Sequence, residues 1–178
     1  AGEKVKLGGW KVNIGENRIY WSDEVAAIHE MPVGHSPTIE EGINFYAPEW
    51  RGKIKKVFTN CVRKGIPYDE EMQIITATGK KLWVNTIGEA FKDDTGKVVK
   101  VQGAFQDISE RKRAEESLRQ SEENLSITLN SIGDGVIATD LNGLVVKMNP
   151  VAEKLCGWSL TDAAGKSLTE IFNIVNSD

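Results

Sequence analysis

The stretch GAFQDISERKRAEESLRQSEENL, residues 103–125, passes from an apolar, strand-like segment into a run of charge, with no Gly or Pro at the change. Ser109 can cap a helix at this point, and Glu110 would complement the dipole of its first turn. Oppositely charged side chains follow at a spacing of four, each pair worth about 0.2–0.5 kcal/mol in an isolated helix: Arg111/Glu115, Lys112/Glu116, Glu115/Arg119 and Arg119/Glu123. The stretch therefore predicts a strand continuous with a solvated helix.

The residues before this stretch predict an α+β domain. Residues 9–21 alternate around Gly-Glu-Asn and indicate a hairpin, and short helices are expected over residues 23–30 and after Thr38. A longer helix is expected at 48–64, with Pro inside its start and Gly just past its end. Three strand-like runs follow Pro67, separated by short turns, so they should pair antiparallel. This order predicts a PAS-like five-stranded antiparallel sheet with helices on one side.

A similar pattern begins again after the charged helix. DGVIATDLNGLVVKMNPVAEKLCGW, residues 134–158, has two alternating runs around Asn-Gly and then a capped helix. Shifting residues 10–31 onto 137–158 without a gap lays Ser22 on Asn149, which indicates an internal repeat. The sequence stops at Asp178, before any counterpart of the long helix or of the last three strands.

These segments together resemble PAS domains in tandem. YWSDEVAAIHEMP, ITATGKKLWV and GAFQDISERKRAEESL are similar to the closing two-thirds of a PAS domain, in which an Asp-Ile-Ser/Thr triplet ends the last strand and begins a signalling helix. Asp107, Ile108 and Ser109 match that triplet, and Gly79 with Trp83 matches the Gly-x-x-x-Trp of the preceding hairpin. The resemblance implies that these three residues form a signalling junction.

The resemblance also implies a domain organisation. We expect a complete PAS domain at 8–108, a linker helix at 109–132 and the first half of a second PAS domain at 133–178, cut off by a chain boundary inside a longer sensor. Because an isolated hairpin is marginal in water, the 133–178 segment is not expected to fold alone.

The function implied is that of a sensory input and dimerisation module. Tandem PAS units commonly lie upstream of a histidine kinase, which we expect here, or of a diguanylate cyclase or phosphodiesterase. A ligand- or partner-induced change would pass from the sheet into the linker helix. The alternative is a protein–protein interaction scaffold without a ligand.

A ligand, if one binds, would lie against the inward faces of the long helix and the sheet. We expect its walls to be Phe58, Cys61, Ile74, Val84 and Val101. The tryptophans suggest a stacking platform for a planar ligand, although single Trp residues are more often core or interface anchors: Trp10, Trp21, Trp50 and Trp83.

Neither a flavin nor a haem is expected. Flavin-binding relatives place a reactive Cys in Asn-Cys-Arg-Phe-Leu-Gln, whereas Asn60 to Arg63 reads Asn-Cys-Val-Arg, and Cys61 is better interpreted as a small buried hydrophobe. Haem-binding relatives use a His on the long helix, and residues 48–64 contain none. His29 and His35 are expected to have surface or capping roles.

The linker helix carries a dimer signal. Its apolar residues follow a seven-residue pattern: Leu118, Leu125, Leu129 and Ile132. Glu115 and Glu122 interrupt that pattern at its start, so a seam between two copies is favoured near its end. The alternative is a single solvated helix.

Composition excludes several classes of function. A net charge of −4 and a pI near 5.4 disfavour binding to nucleic acid or to an anionic membrane, and no apolar run is long enough to cross a bilayer. Cys61 and Cys156 show no metal-ligand or disulfide spacing, which favours the cytoplasm. Adjacent Glu70 and Glu71 would point to opposite faces of a strand. With no phosphate loop, catalytic set or metal site, this segment is not expected to be an enzyme.

Overall fold

The computed structural model of the chain describes residues 6–131 and 133–172. The chain divides into two compact units, Ala1–Ala114 and Glu115–Asp178. Each unit has its own apolar core among the described residues.

The first unit contains five strands and three complete helices within its described residues, and the start of a fourth. The elements are β1 Leu7–Asn13, β2 Ile19–Trp21, α1 Asp23–Ile28, α2 Ile39–Asn44, α3 Pro48–Lys64, β3 Tyr68–Ile75, β4 Lys81–Lys92, β5 Val98–Asp107 and α4 Ser109–Ser131. The strands form one sheet in the order β2-β1-β5-β4-β3, and every neighbouring pair is antiparallel. The predicted α+β architecture is confirmed.

Local sequence signals account for the helix boundaries. The Ser22 side chain caps α1, and Thr38 with Glu41 forms a complete capping box at α2. Pro48 opens α3, and Gly65 follows its last residue at a φ of 71°, a left-handed conformation that Gly adopts without strain. The predicted helix starts are therefore confirmed.

The core lies between the sheet and its helices. In β1, buried residues alternate with exposed ones, so Trp10 and Val12 face inward. α1 packs on β1 and β5, whereas α3 packs across β3, β4 and β5. Between these layers lies a continuous set of buried side chains: Trp10, Val12, Val25, Ile28, Tyr46, Ile54, Cys61, Tyr68, Met72, Ile74, Val84, Val98, Val101 and Phe105.

Two glycines permit close approach within the sheet. A Cβ placed on Gly103 would lie 1.7 Å from the backbone oxygen of Ile87, so β4 and β5 could not adopt this spacing with any larger residue. At Gly88 a Cβ would lie 2.4 Å from the ring of Tyr68. The missing side chain at Gly88 therefore leaves room for the Tyr68 phenol.

The second unit continues from the later part of α4. Its described elements are β6 Ile137–Thr139, β7 Val145–Met148, α5 Pro150–Cys156, α6 Leu160–Ala163 and α7 Leu168–Ile171. β6 and β7 pair antiparallel, as the repeat predicts. Asn149 caps α5 as Ser22 caps α1, which agrees with the gapless shift that lays one on the other. A small core forms from Val145, Met148, Ala152, Ala163 and Ile171.

Candidate functional site

The first unit has a partly open cavity of about 50 Å³ between its sheet and helices. All five strands and all three complete helices, or the segments that join them, contribute to its wall. The described lining residues are Trp10, Ile19, Trp21, His29, Ile39, Gly42, Ile43, Tyr46, Ile54, Phe58, Tyr68, Thr86 and Phe105. Among these residues there is no Asp, Glu, Lys or Arg.

One of the five predicted wall residues, Phe58, lines this cavity. The other four are fully buried in the core and are not among its described lining residues, so their role as ligand walls stays a prediction: Cys61, Ile74, Val84 and Val101. Burial in the core does not by itself place a residue on the cavity wall. Ile74, for example, pairs with the lining residue Tyr46 in an isolated β-bridge, so it lies beside the wall without lining the cavity.

The tryptophans divide into two pairs. Trp10 and Trp21 line the cavity, and the Trp10 ring lies 6.5 Å from those of both Phe58 and Tyr68. Trp50 and Trp83 are not among the cavity's described lining residues, and their rings meet edge to face at 5.7 Å. The platform hypothesis therefore applies only to the first pair, for which it stays a prediction.

His29 is part of the cavity wall rather than of the surface. Its ring stacks on Trp21 at 4.1 Å and lies 4.9 Å from the rings of both Phe45 and Phe105. Nδ1 donates to the carbonyl of Val25 at 2.8 Å, since a carbonyl can only accept. Burial lowers the pKa of His29 to about 4. The expected capping position is confirmed, because His29 ends α1, but the expected surface position is wrong.

Three hydroxyl groups lie in the same wall. Burial raises the pKa values of Tyr46 and Tyr68 well above the ordinary phenol value, an effect partly offset by hydrogen bonding to Thr86. Thr86 is itself buried. None of the three was predicted from the sequence, although Thr86 and Val84 share one face of β4 by the two-residue period of a strand.

The indole N–H of Trp10 is a buried donor. Within the described residues, it and the N–H of Trp50 have no hydrogen-bond partner. Only Trp10 lines the cavity. A buried donor without an acceptor is costly, so its position beside a cavity requires an explanation.

The predicted junction residues join the sheet directly to α4. Ile108, the only residue between β5 and α4, is buried, and its N–H donates to the carbonyl of Trp83 at 2.9 Å. The Ser109 hydroxyl accepts from the Trp83 N–H at 3.0 Å, while the Ser109 N–H donates to the Asp107 carboxylate at 2.9 Å. Ser109 is the first residue of α4, and its hydroxyl bonds to the backbone of Trp83 on β4. The signalling role of the triplet stays a prediction.

A second attachment reaches α4 from β3. The Glu71 carboxylate pairs with Arg111 at 2.5 Å and with Lys112 at 2.6 Å. Hydrogen bonding to Lys112, and then to Arg111, holds the pKa of Glu71 below its usual value. Glu70 faces the other way and pairs with Lys53 on α3, which confirms the opposite orientations expected of the two carboxylates. Charge patterning alone gave no indication of either partner.

The predicted dimer residues lie on an exposed helix. Leu118 is 62% exposed and Leu125 54% exposed, whereas Leu129 is half-buried. Ile132 lies outside the described residues. None of the described residues of α4 is buried. The seam between two copies stays a prediction.

Among the described residues there is neither a metal-binding cluster nor a membrane-spanning helix. No group of three or more His, Cys, Asp or Glu side chains within 6–131 and 133–172 is arranged to hold a metal ion. Over the same ranges, no helix combines the length and apolarity needed to cross a bilayer.

Comparison with known proteins identifies the fold. Two family models, each described as PAS fold, match residues 18–105 and 123–174. The whole chain, 178 residues, is 29% identical to the "Probable diguanylate cyclase DgcE" of Escherichia coli (strain K12), of which it spans 16%. It is 23% identical over 162 residues, 91% of this chain, to the "Sensor protein FixL" of Bradyrhizobium diazoefficiens, of which it spans 32%.

A solved structure agrees with these matches. The crystal structure of a sensory box histidine kinase/response regulator from Burkholderia thailandensis E264 is 26% identical, with a TM-score of 0.54. That match covers 67% of this chain and 90% of the other. With both family matches, the sheet order and the strand-to-helix junction in agreement, the chain belongs to the PAS family and carries two PAS units in tandem.

Proposed function

We propose that this chain is the sensory input module of a signalling protein and that it passes an event at the cavity through the sheet to α4. The observation that carries this proposal is the junction at Ile108, a single buried residue held by Trp83 between β5 and α4. No free segment is present there to absorb a movement of the sheet. A shift in sheet packing would therefore rotate or tilt the helix.

The Glu71 attachment supports a second route to the helix. Tyr68 lines the cavity and Glu71 follows three residues later on the same strand. Exposed ion pairs contribute only about 0–1 kcal/mol to stability, so the pairs with Arg111 and Lys112 serve to orient α4 more than to hold the domain together. A ligand that displaces Tyr68 would move the β3 strand to which α4 is bound.

The output of the whole protein is proposed from its relatives. Histidine kinase output is supported by the Burkholderia structure, and cyclic-dinucleotide output by the relative matched along the whole chain. Assays of the full-length protein for autophosphorylation on His and for cyclic-dinucleotide synthesis or cleavage distinguish these outputs.

We propose a parallel homodimer through α4, supported by the exposure of Leu118 and Leu125. A helix of 23 residues spans about 35 Å at 1.5 Å per residue. Two copies side by side would bury these leucines against each other, as in a coiled coil. A dimer would also let one helix's rotation act on its neighbour.

A scaffold that binds no ligand is the alternative function. Two experiments on the whole chain distinguish the scaffold from the sensor. A thermal-shift screen of metabolites first identifies ligands, and amide hydrogen exchange is then measured with and without each one. A ligand that raises the melting temperature should also change amide exchange in residues 109–114, and Ser109→Ala should weaken that second effect. If ligands bind and the exchange of this first turn stays the same, the coupling proposal is wrong. If none binds, the scaffold is favoured.

A further inference from the structure

The cavity's chemistry restricts what can bind there. Resting on the proposed function, in which the cavity is the sensing site, we infer that its ligand is a compact, uncharged molecule carrying a hydrogen-bond acceptor for the indole N–H of Trp10. Three observations carry this inference: one unpartnered donor, a wall without ionised groups, and a small volume.

The donor sets the ligand's polarity. The Trp10 side chain is 9% exposed, lines the cavity, and has no acceptor for its N–H among the described residues. An indole N–H can only donate, so its partner must be an acceptor. The hydroxyls of Tyr46, Tyr68 and Thr86 can donate or accept, and they would adapt to either kind of group. Trp10 therefore imposes the one fixed requirement.

The wall sets the ligand's charge. Among the described residues that line it, none is Asp, Glu, Lys or Arg, and His29 is neutral near pH 7 because burial keeps its pKa at about 4. An ionised ligand would lose its hydration without gaining an opposite charge, which is strongly unfavourable. A neutral molecule avoids that cost. Six aromatic side chains supply apolar contact instead: Trp10, Trp21, Tyr46, Phe58, Tyr68 and Phe105.

The volume sets the ligand's size. One water needs about 10–15 Å³ of such space, so 50 Å³ holds a molecule of only a few non-hydrogen atoms. At the best efficiency known for tiny ligands, four such atoms give a dissociation constant no tighter than tens of micromolar, about 40 μM. The binding must therefore be measured at high ligand concentration.

Three probes of equal size and trigonal shape test the inference on the whole chain. Acetone is neutral with an acceptor, isobutene is neutral without one, and acetate is an anion with two. The readout is the indole resonance of Trp10 in ¹H–¹⁵N spectra, assigned by its loss in Trp10→Phe. Acetone should move this resonance downfield, because it satisfies a buried donor, whereas isobutene should leave it in place. Acetate should not bind.

Two variants complete the design. Trp10→Phe keeps an aromatic wall and removes the donor, so acetone binding should weaken about tenfold while isobutene binding stays the same. Trp50→Phe is the matched control, since it also removes a buried, unpartnered N–H but lies outside the described lining residues. It should leave acetone binding unchanged. Should Trp10→Phe not fold, the response of the indole resonances of the native chain to each of the three probes still decides.

The failures of the two proposals can be told apart with xenon, which enters apolar cavities. If xenon binds while Trp10→Phe leaves acetone binding unchanged, or if acetate binds as well as acetone, the cavity is accessible and the inferred ligand chemistry is wrong. If xenon binds and acetone leaves the Trp10 resonance unmoved, the inference is equally wrong. If xenon does not bind either, the cavity is not a ligand site, and the proposed sensing site fails together with the inference.

Discussion

The hydroxyl of Ser109 accepts a hydrogen bond from the backbone N–H of Trp83, at 3.0 Å. The first residue of α4 is therefore bound to β4, 26 positions earlier in the chain. The Asp107 carboxylate accepts the Ser109 N–H and so satisfies a backbone donor at the start of α4, a role that the sequence predicted for the serine hydroxyl. Each residue of this junction thus has a separate function in holding helix to sheet.

Replacing Ser109 with Ala should lower the free energy of unfolding by about 0.5–1.5 kcal/mol, because it removes a hydrogen bond to the Trp83 backbone. Asp107→Ala should cost about 0.5–2 kcal/mol through loss of the acceptor for the Ser109 N–H. Denaturant unfolding measures both changes. Exposed Ser121 on α4 provides the control, and Ser121→Ala should have little effect. Equal stability of Ser109→Ala and Ser121→Ala would contradict this account of the junction.

Gly103→Ala should destabilise the first unit by at least about 3 kcal/mol, since the added Cβ meets the backbone oxygen of Ile87, which cannot move without disturbing the sheet. Gly52→Ala is the matched control on α3, where nothing lies within 4 Å of the added atom. That change should stabilise by about 0.4–1 kcal/mol, because Ala reduces the freedom of the unfolded chain. Thermal unfolding of the two variants should shift in opposite directions; a small effect of Gly103→Ala would show that the strands can separate.

The sequence was sufficient to predict the local structure but not to predict which residues form the cavity. Capping residues such as Thr38 and the alternation in each strand act over a few positions, so they predict elements and their order. The cavity depends on residues brought together by the sheet's register and by packing. Thr86 and His29 both line the cavity although they are 57 positions apart in the chain. A pattern that extends over a few residues cannot predict that two such distant positions come together. Cys61 was correctly expected to be buried, yet burial alone did not locate it relative to the cavity.

His29 should make the first unit less stable in mild acid. Its folded pKa of about 4 lies below the value near 6.5 of an unfolded chain, so the unfolded state binds a proton first as the pH falls. The loss should begin below about pH 6.5, continue to about pH 4, and approach about 3 kcal/mol. Denaturant unfolding at pH 7 and pH 4.5 measures it.

Two variants separate this effect from the titration of carboxylates. His29→Phe keeps a ring against Trp21 and cannot be protonated, so its stability should fall less between these pH values than that of the native chain. His35→Gln should behave like the native chain. Equal pH dependence in all three proteins would rule out His29 as the titrating group.

The proposed helix seam predicts a concentration-dependent dimer. Leu125→Asp and Leu129→Asp should each weaken it, because a buried carboxylate in the seam would be unpaired. Ile127 is 66% exposed and lies two residues from either leucine, about 200° around the helix, so Ile127→Asp should leave the dimer intact. Analytical ultracentrifugation measures the association. A strict monomer at high concentration, or equal weakening by all three changes, would contradict the seam.

Asn149 is expected to decide whether the second unit can fold from residues 133–178 alone. Its buried amide makes four hydrogen bonds of 2.9 Å, accepting from Val136 and Ala152 and donating to the carbonyls of Leu129 and Asp134. A peptide of 133–178 lacks Leu129, and its two-stranded hairpin would be marginal in water. We expect weak amide protection in that peptide and stronger protection in a peptide of 115–178.

Amide hydrogen exchange at Val145 and Asn149 provides the measurement, since their N–H groups donate to Lys166 and Val136 within this unit. Asn149→Asp in the full chain is the companion variant: it keeps the cap on Ala152 and removes both donated bonds, so it should lower protection at these two amides. If the 133–178 peptide is as well protected as the same residues in the full chain, the Leu129 contact is dispensable and the segment folds by itself. If only the longer peptide is protected, the end of α4 is part of the second folding unit.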